Sequence, residues 1–193
     1  MDGVPNLTHA AIEPCESFTY RFPPKEAGTL WYHAQSKGWG QLARGLYGPL
    51  VVAETELPDP ARDVTLVADD WRLTGKYKLH DAIFGSLMDW SPQVCLRNCL
   101  TVNGEMNPVI SVASGTVRLR VINAANARVL AFHLGAERSM RLVALDGAQC
   151  DPFDLQTIRL APAQHADLIV EMLAGDLRLE EVSAGEPVGA AVM

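Results

Sequence analysis

Apolar and polar residues alternate with a period of two along most of this chain. Phe18-Thr19-Tyr20-Arg21-Phe22, Val117-Arg118-Leu119-Arg120-Val121 and Asp167-Leu168-Ile169-Val170 are plain examples, and a two-residue repeat sends successive side chains to opposite faces of an extended strand. Such short segments of Val, Leu, Ile and aromatics recur from end to end, separated by Pro, Gly, Asn or Asp. The pattern predicts an all-β sandwich or barrel in which helix is a minor component. In another predicted strand Leu130, Phe132 and Leu134 share one face, which turns His133 away from their core.

The repeat is interrupted where composition also changes. Between Leu50-Val51-Val52 and Val64-Thr65-Leu66-Val67 stands Glu54-Thr55-Glu56-Leu57-Pro58-Asp59-Pro60, with two prolines and three acids. This predicts a linker over residues 56–62. Three or four strands are expected before it, too few for a closed sandwich, so residues 1–55 read as an incomplete unit with uncovered sheet edges. Residues 63–193 have room for a complete β-sandwich domain. From Arg72 to Cys99 the pattern weakens, with Gly75, Gly85 and Pro92 breaking it, so a surface excursion or a short helix flanked by loops is expected.

Composition narrows the classes of function. Of the 193 residues 48% are hydrophobic and 20% charged, ordinary values for a chain that can bury a core. The net charge of -7 argues against nucleic acid or an anionic membrane surface as partner, because both demand clustered cations. No apolar run approaches the roughly 18 to 20 residues of a membrane-spanning helix, and the first residues lack the plan of a signal peptide, so export of the chain as written is not expected. Cys15, Cys95, Cys99 and Cys150 are too scattered for a disulfide framework, and the Cys95/Cys99 pair lacks a second pair with which to bind metal.

The most informative stretch is Gly28-Thr29-Leu30-Trp31-Tyr32-His33-Ala34-Gln35, followed by Gly45-Leu46-Tyr47-Gly48-Pro49-Leu50-Val51-Val52. It resembles the end of the first cupredoxin domain of the multicopper oxidases, the laccase-like enzymes, where a Gly-Thr-x-Trp-Tyr-His-x-His strand runs into a Gly-Leu-Tyr-Gly-x-Leu-Ile-Val strand. A His-x-His pair on a strand projects two imidazoles from one face about 6.5 Å apart, and imidazole suits copper. By that resemblance His33 stands where the family has a ligand of the binuclear copper pair in its trinuclear, dioxygen-reducing site. The second position is Gln35, a far poorer copper ligand. Trp31, Trp39 and Tyr47 are expected to pack.

Two further regions carry the resemblance. Met1-Asp2-Gly3-Val4-Pro5 is similar to the loop that follows the family's first copper motif, His-Trp-His-Gly, and residues Ile12 to Phe22 match a Pro-Gly-Glu-Ser-Phe-x-Tyr-x-Phe strand with Cys15 in place of its glycine. Leu100-Thr101-Val102-Asn103-Gly104, Val121-Ile122-Asn123-Ala124, Leu145-Asp146-Gly147 and Leu160-Ala161-Pro162-Ala163-Gln164-His165 resemble the second cupredoxin domain, which holds no copper in three-domain members and acts as a spacer. There the family usually has Pro-Gly-Gln-Arg, so Ala163 and His165 are expected to alter a turn and a polar contact. His9, His80 and His165 lie in loop-like contexts and are expected to be solvated.

The mononuclear copper of the family needs a Cys thiolate with two histidines, and none of the four cysteines sits in a His-Cys-His run. The resemblance therefore implies a fragment of a copper-dependent oxidase, one that couples one-electron oxidation of phenolic, amine or metal-ion substrates to reduction of dioxygen to water. The isolated chain is not expected to catalyse that reaction. Its partners would be a missing third cupredoxin domain or another chain, with dioxygen and small reducing substrates once assembled, in a periplasmic or secreted setting. The alternative is a non-catalytic cupredoxin-fold binding or assembly module.

Overall fold

A computed structural model of the chain describes residues 4–36, 38–54, 59–76, 78–79, 99–135, 138–175, 177–184 and 187–193. The unpatterned stretch before Cys99 lies mostly outside these residues, as do His80, Cys95 and the first part of the expected linker. Among the described residues the protein is almost entirely β, with one short helix, α1 (Gly38–Leu42). Strands β1 (Gly28–His33) and β2 (Tyr47–Val52) form an antiparallel ribbon around that helix. A single 3₁₀ turn, Pro60–Arg62, then leads into the rest; the Asp59 carboxylate accepts the Ala61 N–H at 3.0 Å and closes its start.

Ten further strands follow: β3 (Asp63–Trp71), β4 (Cys99–Val102), β5 (Gly115–Asn123), β6 (Leu130–His133), β7 (Met140–Leu145), β8 (Ala148–Leu155), β9 (Thr157–Leu160), β10 (His165–Met172), β11 (Arg178–Glu181) and β12 (Val188–Val192). They make a six-stranded sheet in the order β4-β3-β5-β10-β7-β8 and a four-stranded sheet in the order β12-β11-β6-β9. Only the β3–β5 pairing is parallel.

The predicted alternation decides what lies between the sheets. Val117, Leu119 and Val121 of β5, with Leu66 of β3 and Leu168 of β10, meet Phe132, Leu160 and Leu179 from the four-stranded sheet in one buried cluster. Fully burying side chains of this size stabilises by about 1.5–3 kcal/mol each before conformational entropy is subtracted. His133 faces the other way as expected, its Nε2 at 2.9 Å from a Glu180 carboxylate oxygen. Asn123 is a polar hub at the end of β5: its amide nitrogen donates to the carbonyls of Arg128 and Leu160, and its amide oxygen accepts the Ala125 N–H.

Two expectations need correction. Phe18–Phe22 alternates like a strand but is not one; the segment is exposed and belongs to no sheet. Alternation is only the side-chain half of a strand, and among the described residues no neighbour supplies the ladder of backbone hydrogen bonds. His165, expected to be solvated, opens β10 and is buried, with Leu30 and Gly147 close by the same joint.

The turn before His165 keeps its shape despite its alanine. Ala163 adopts φ 73°, a left-handed conformation that disfavours a Cβ, and is held there by its N–H donating to the Asn123 carbonyl at 3.0 Å. The Gln164 side chain returns to accept the Ala161 N–H at 2.9 Å. Cys15, the other residue that replaces a family glycine, is likewise left-handed at φ 70°. Ala163→Gly is expected to relieve about 1 kcal/mol of strain, raising the thermal midpoint by roughly 2–4 °C for a domain of this size. A calorimetric scan that shows no rise, or a fall, would refute the strain.

Candidate functional site

The ribbon is short because its work is positional. Its register runs from Gly28 opposite Val52 to His33 opposite Tyr47, and the ladder persists one residue further, with the Ala34 N–H donating to the Leu46 carbonyl at 3.3 Å. Trp31, His33 and Tyr47 lie on one face: the Trp31 and His33 rings are 4.7 Å apart, and Trp31 and Tyr47 meet edge-on at 6.3 Å. Trp31 and Tyr47 pack against Val67, Ile122 and Ala124 on the outer face of the six-stranded sheet, as packing residues should. Across the ribbon's other face the exposed Tyr32 ring lies over Gly48, so that a Cβ there would sit 2.6 Å from its Cζ and the ring would have to swing aside.

Tyr47 does more than pack. Its hydroxyl donates to an Asp69 carboxylate oxygen at 2.7 Å. Burial, with the charge of Asp69 behind it, pushes its ionisation far above the usual tyrosine range, so it remains a donor at every ordinary pH.

A buried charge network seats the ribbon from beneath. Asp167 of β10, 1% exposed, accepts the Thr29 hydroxyl at 2.5 Å, Arg118 at 2.7 Å and Arg120 at 3.2 Å. Arg120 also donates to Thr29 at 2.8 Å and clamps Asp63 with two bonds of 2.6 and 2.9 Å. Arg118 reaches on to Glu54, just past β2, at 2.8 Å. Sequence reasoning placed these charges on the polar face of β5 and β10 and missed their role. The available signal was Thr29 inside an otherwise apolar strand; what no local pattern reveals is that β1 covers this face.

His33 emerges from this frame exposed, with Nδ1 at 3.2 Å from the Ala34 carbonyl. The tautomer that donates there leaves Nε2 with its lone pair, the form in which imidazole binds a metal. Gln35 is exposed as well. The other described histidines are otherwise engaged: His9 stacks on Phe18 at 4.3 Å, His133 pairs with Glu180, and His165 is buried in the joint. Among the described residues no three of His, Cys, Asp and Glu converge to hold a metal. Cys15, Cys99 and Cys150 are free thiols, and burial pushes the Cys99 thiol up, away from the thiolate a metal needs. One imidazole and one amide do not make a copper site.

Sheet order and core together define a cupredoxin-like β-sandwich with a two-stranded ribbon against it. Comparison with known proteins gives the family: a multicopper oxidase model matches residues 1–56 and a second multicopper oxidase model matches residues 31–177. The chain belongs to the multicopper oxidase family, whose cofactor is copper. It is 31% identical to an iron transport multicopper oxidase, fetC, of Epichloe festucae, across 88% of this chain and 27% of that one. It is 32% identical to the cell division protein FtsP of Proteus mirabilis, across 86% of this chain and 36% of that one. The crystal structure of a multi-copper oxidase from Pseudomonas Thermotolerans superposes on all of the chain with a TM-score of 0.83 at 29% identity, over 46% of its own length. The chain thus spans about a third of the length of these curated relatives.

The network predicts two separable effects. Asp167→Asn should cost about 3 kcal/mol by removing the buried negative charge that Arg118 and Arg120 share, whereas Arg141→Ala, which removes an exposed pair with Asp154, should leave the denaturation midpoint where it was. The bond from Arg118 holds the Glu54 carboxyl below its ordinary value of 4.5. Its contribution is therefore complete above that value and disappears as pH falls through the lowered one. Urea unfolding across that acid range should show a steeper loss in the parent than in Glu54→Gln; equal slopes would exclude the linkage.

Proposed function

We propose that these 193 residues are a structural part of a copper-dependent oxidase, and that they do not catalyse its reaction alone. On this reading residues 1–55 are the end of a first cupredoxin domain, 56–62 a linker, and 63–193 a second cupredoxin domain that carries no copper of its own. The assembled enzyme would take electrons singly from phenolic, amine or metal-ion donors and reduce dioxygen to water, in a periplasmic or secreted setting. His33 would contribute one imidazole to a copper cluster whose other ligands come from a further cupredoxin domain or another chain.

The observation that carries this reading is His33 itself: an exposed imidazole at the end of a strand that a buried charge network holds in place, with no other metal-ligating cluster among the described residues. A spacer role for the second domain is supported by the buried charges Arg118, Arg120 and Asp167, which dock the ribbon. A non-catalytic assembly module is the second reading, and it has its own support. Of sixteen large hydrophobics exposed among the described residues, nine fall between Val4 and Val51, among them Leu7, Phe18, Tyr20, Phe22 and Leu46. A contiguous patch of such side chains would suit a covering unit, and their concentration in this part of the sequence favours the module reading.

The purified chain, reconstituted with Cu(I) and then exposed to air, is expected to hold well under one tightly bound copper and to consume no dioxygen with a phenolic donor. Copper analysis and an oxygen electrode decide it. Two or more coppers per chain with oxygen uptake would overturn the structural reading and require a cluster completed between copies.

A further inference from the structure

We infer that Gln35 makes the end of β1 a half-site, offering a single nitrogen ligand where the copper pair of the family takes two, in any assembly that contains this chain. The inference rests on the reading of His33 as a copper-facing residue and goes beyond it, because it concerns the completed protein and not only the isolated segment.

β1 ends at His33, one further backbone bond from the Ala34 N–H to the Leu46 carbonyl carries the pairing past it, and residue 35 lies just beyond, within about 6.5–7 Å of His33 along the chain. Both side chains are exposed, and neither belongs to the apolar clusters. The difference is one of donor chemistry. An amide oxygen is neutral and hard, and the amide nitrogen has no lone pair to offer, while copper favours imidazole nitrogen or thiolate.

Nothing nearby makes up the deficit. Among the described residues no group of three His, Cys, Asp and Glu gathers here or elsewhere. The chain's other described histidines are held in a stack with Phe18, in a pair with Glu180 and in the buried joint. Chemistry that requires two coppers acting together on dioxygen is consequently impaired at this strand, whichever domains surround it.

The test compares three full-length chains, the parent, Gln35→His and His33→Ala/Gln35→His, by chelator competition with Cu(II) and by counting coordinating nitrogens in the electron paramagnetic resonance spectrum. Circular dichroism melts confirm that all three fold alike, as exposed substitutions should. Two imidazoles tethered on one strand act as linked ligands, so Gln35→His is expected to bind Cu(II) roughly a hundredfold tighter than the parent. It should show one nitrogen more, and the double variant should lose both gains. A parent that already binds as tightly as Gln35→His would overturn the half-site while leaving the role of His33 intact. A gain that survives removal of His33, or no gain at all, would instead overturn the placement of His33 and the half-site with it.

Discussion

The Asp167 carboxylate is the constraint on which the placement of everything else depends. A buried charge is tolerated only when surrounding groups replace its water, and its replacements come from two distant strands: the Thr29 hydroxyl on β1 and the guanidinium groups of Arg118 and Arg120 on β5. The two arginines in turn bind Glu54 and Asp63, on either side of the passage from ribbon to sandwich. A shift of the ribbon by one residue would withdraw Thr29 and leave the acid and Arg120 facing apolar neighbours. The network therefore sets register and orientation more than it adds stability, since an apolar joint of the same shape could hold the ribbon as firmly.

From that anchor the position of the candidate ligand follows by strand geometry. His33 lies four residues beyond Thr29, about 13 Å along β1, with Trp31 packed between them on Val67, Ile122 and Ala124. Tyr47, opposite His33 in the register, is tied to the sandwich through Asp69. The imidazole is thus presented from a surface fixed at both ends, while its own ring stays free of the core.

Much of this was legible in the residue pattern, and the parts that were not share a cause. The alternation in β5 and β10 gives the buried and polar faces correctly, His133 included, and Leu145-Asp146-Gly147 announces the tight turn where Asp146 and Gly147 take φ 49° and 80°. The pattern fails wherever a second segment decides. Phe18–Phe22 has the side chains of a strand without a neighbour to pair with, and His165 sits beside a turn yet is buried because the ribbon passes over it. Arg118, Arg120 and Asp167 look like a solvated face until β1 covers them. The strand around His33 was legible for the opposite reason: its pattern and the family motif it resembles are both local.

The same separation shows how little the fold asks of residue 35. None of the forces that shape this strand end passes through residue 35. The ladder uses backbone groups, the packing uses Trp31 and Tyr47, and the docking uses Thr29 four residues before the histidine. An exposed glutamine in place of an imidazole costs folding almost nothing, so stability offers no resistance to its arrival. Core positions such as Phe132, and partnered charges such as Asp167, are held by the energetics of folding whatever the protein does. Position 35 is held only by chemistry, and a family member freed from reducing dioxygen would lose its identity there before its sandwich showed any change.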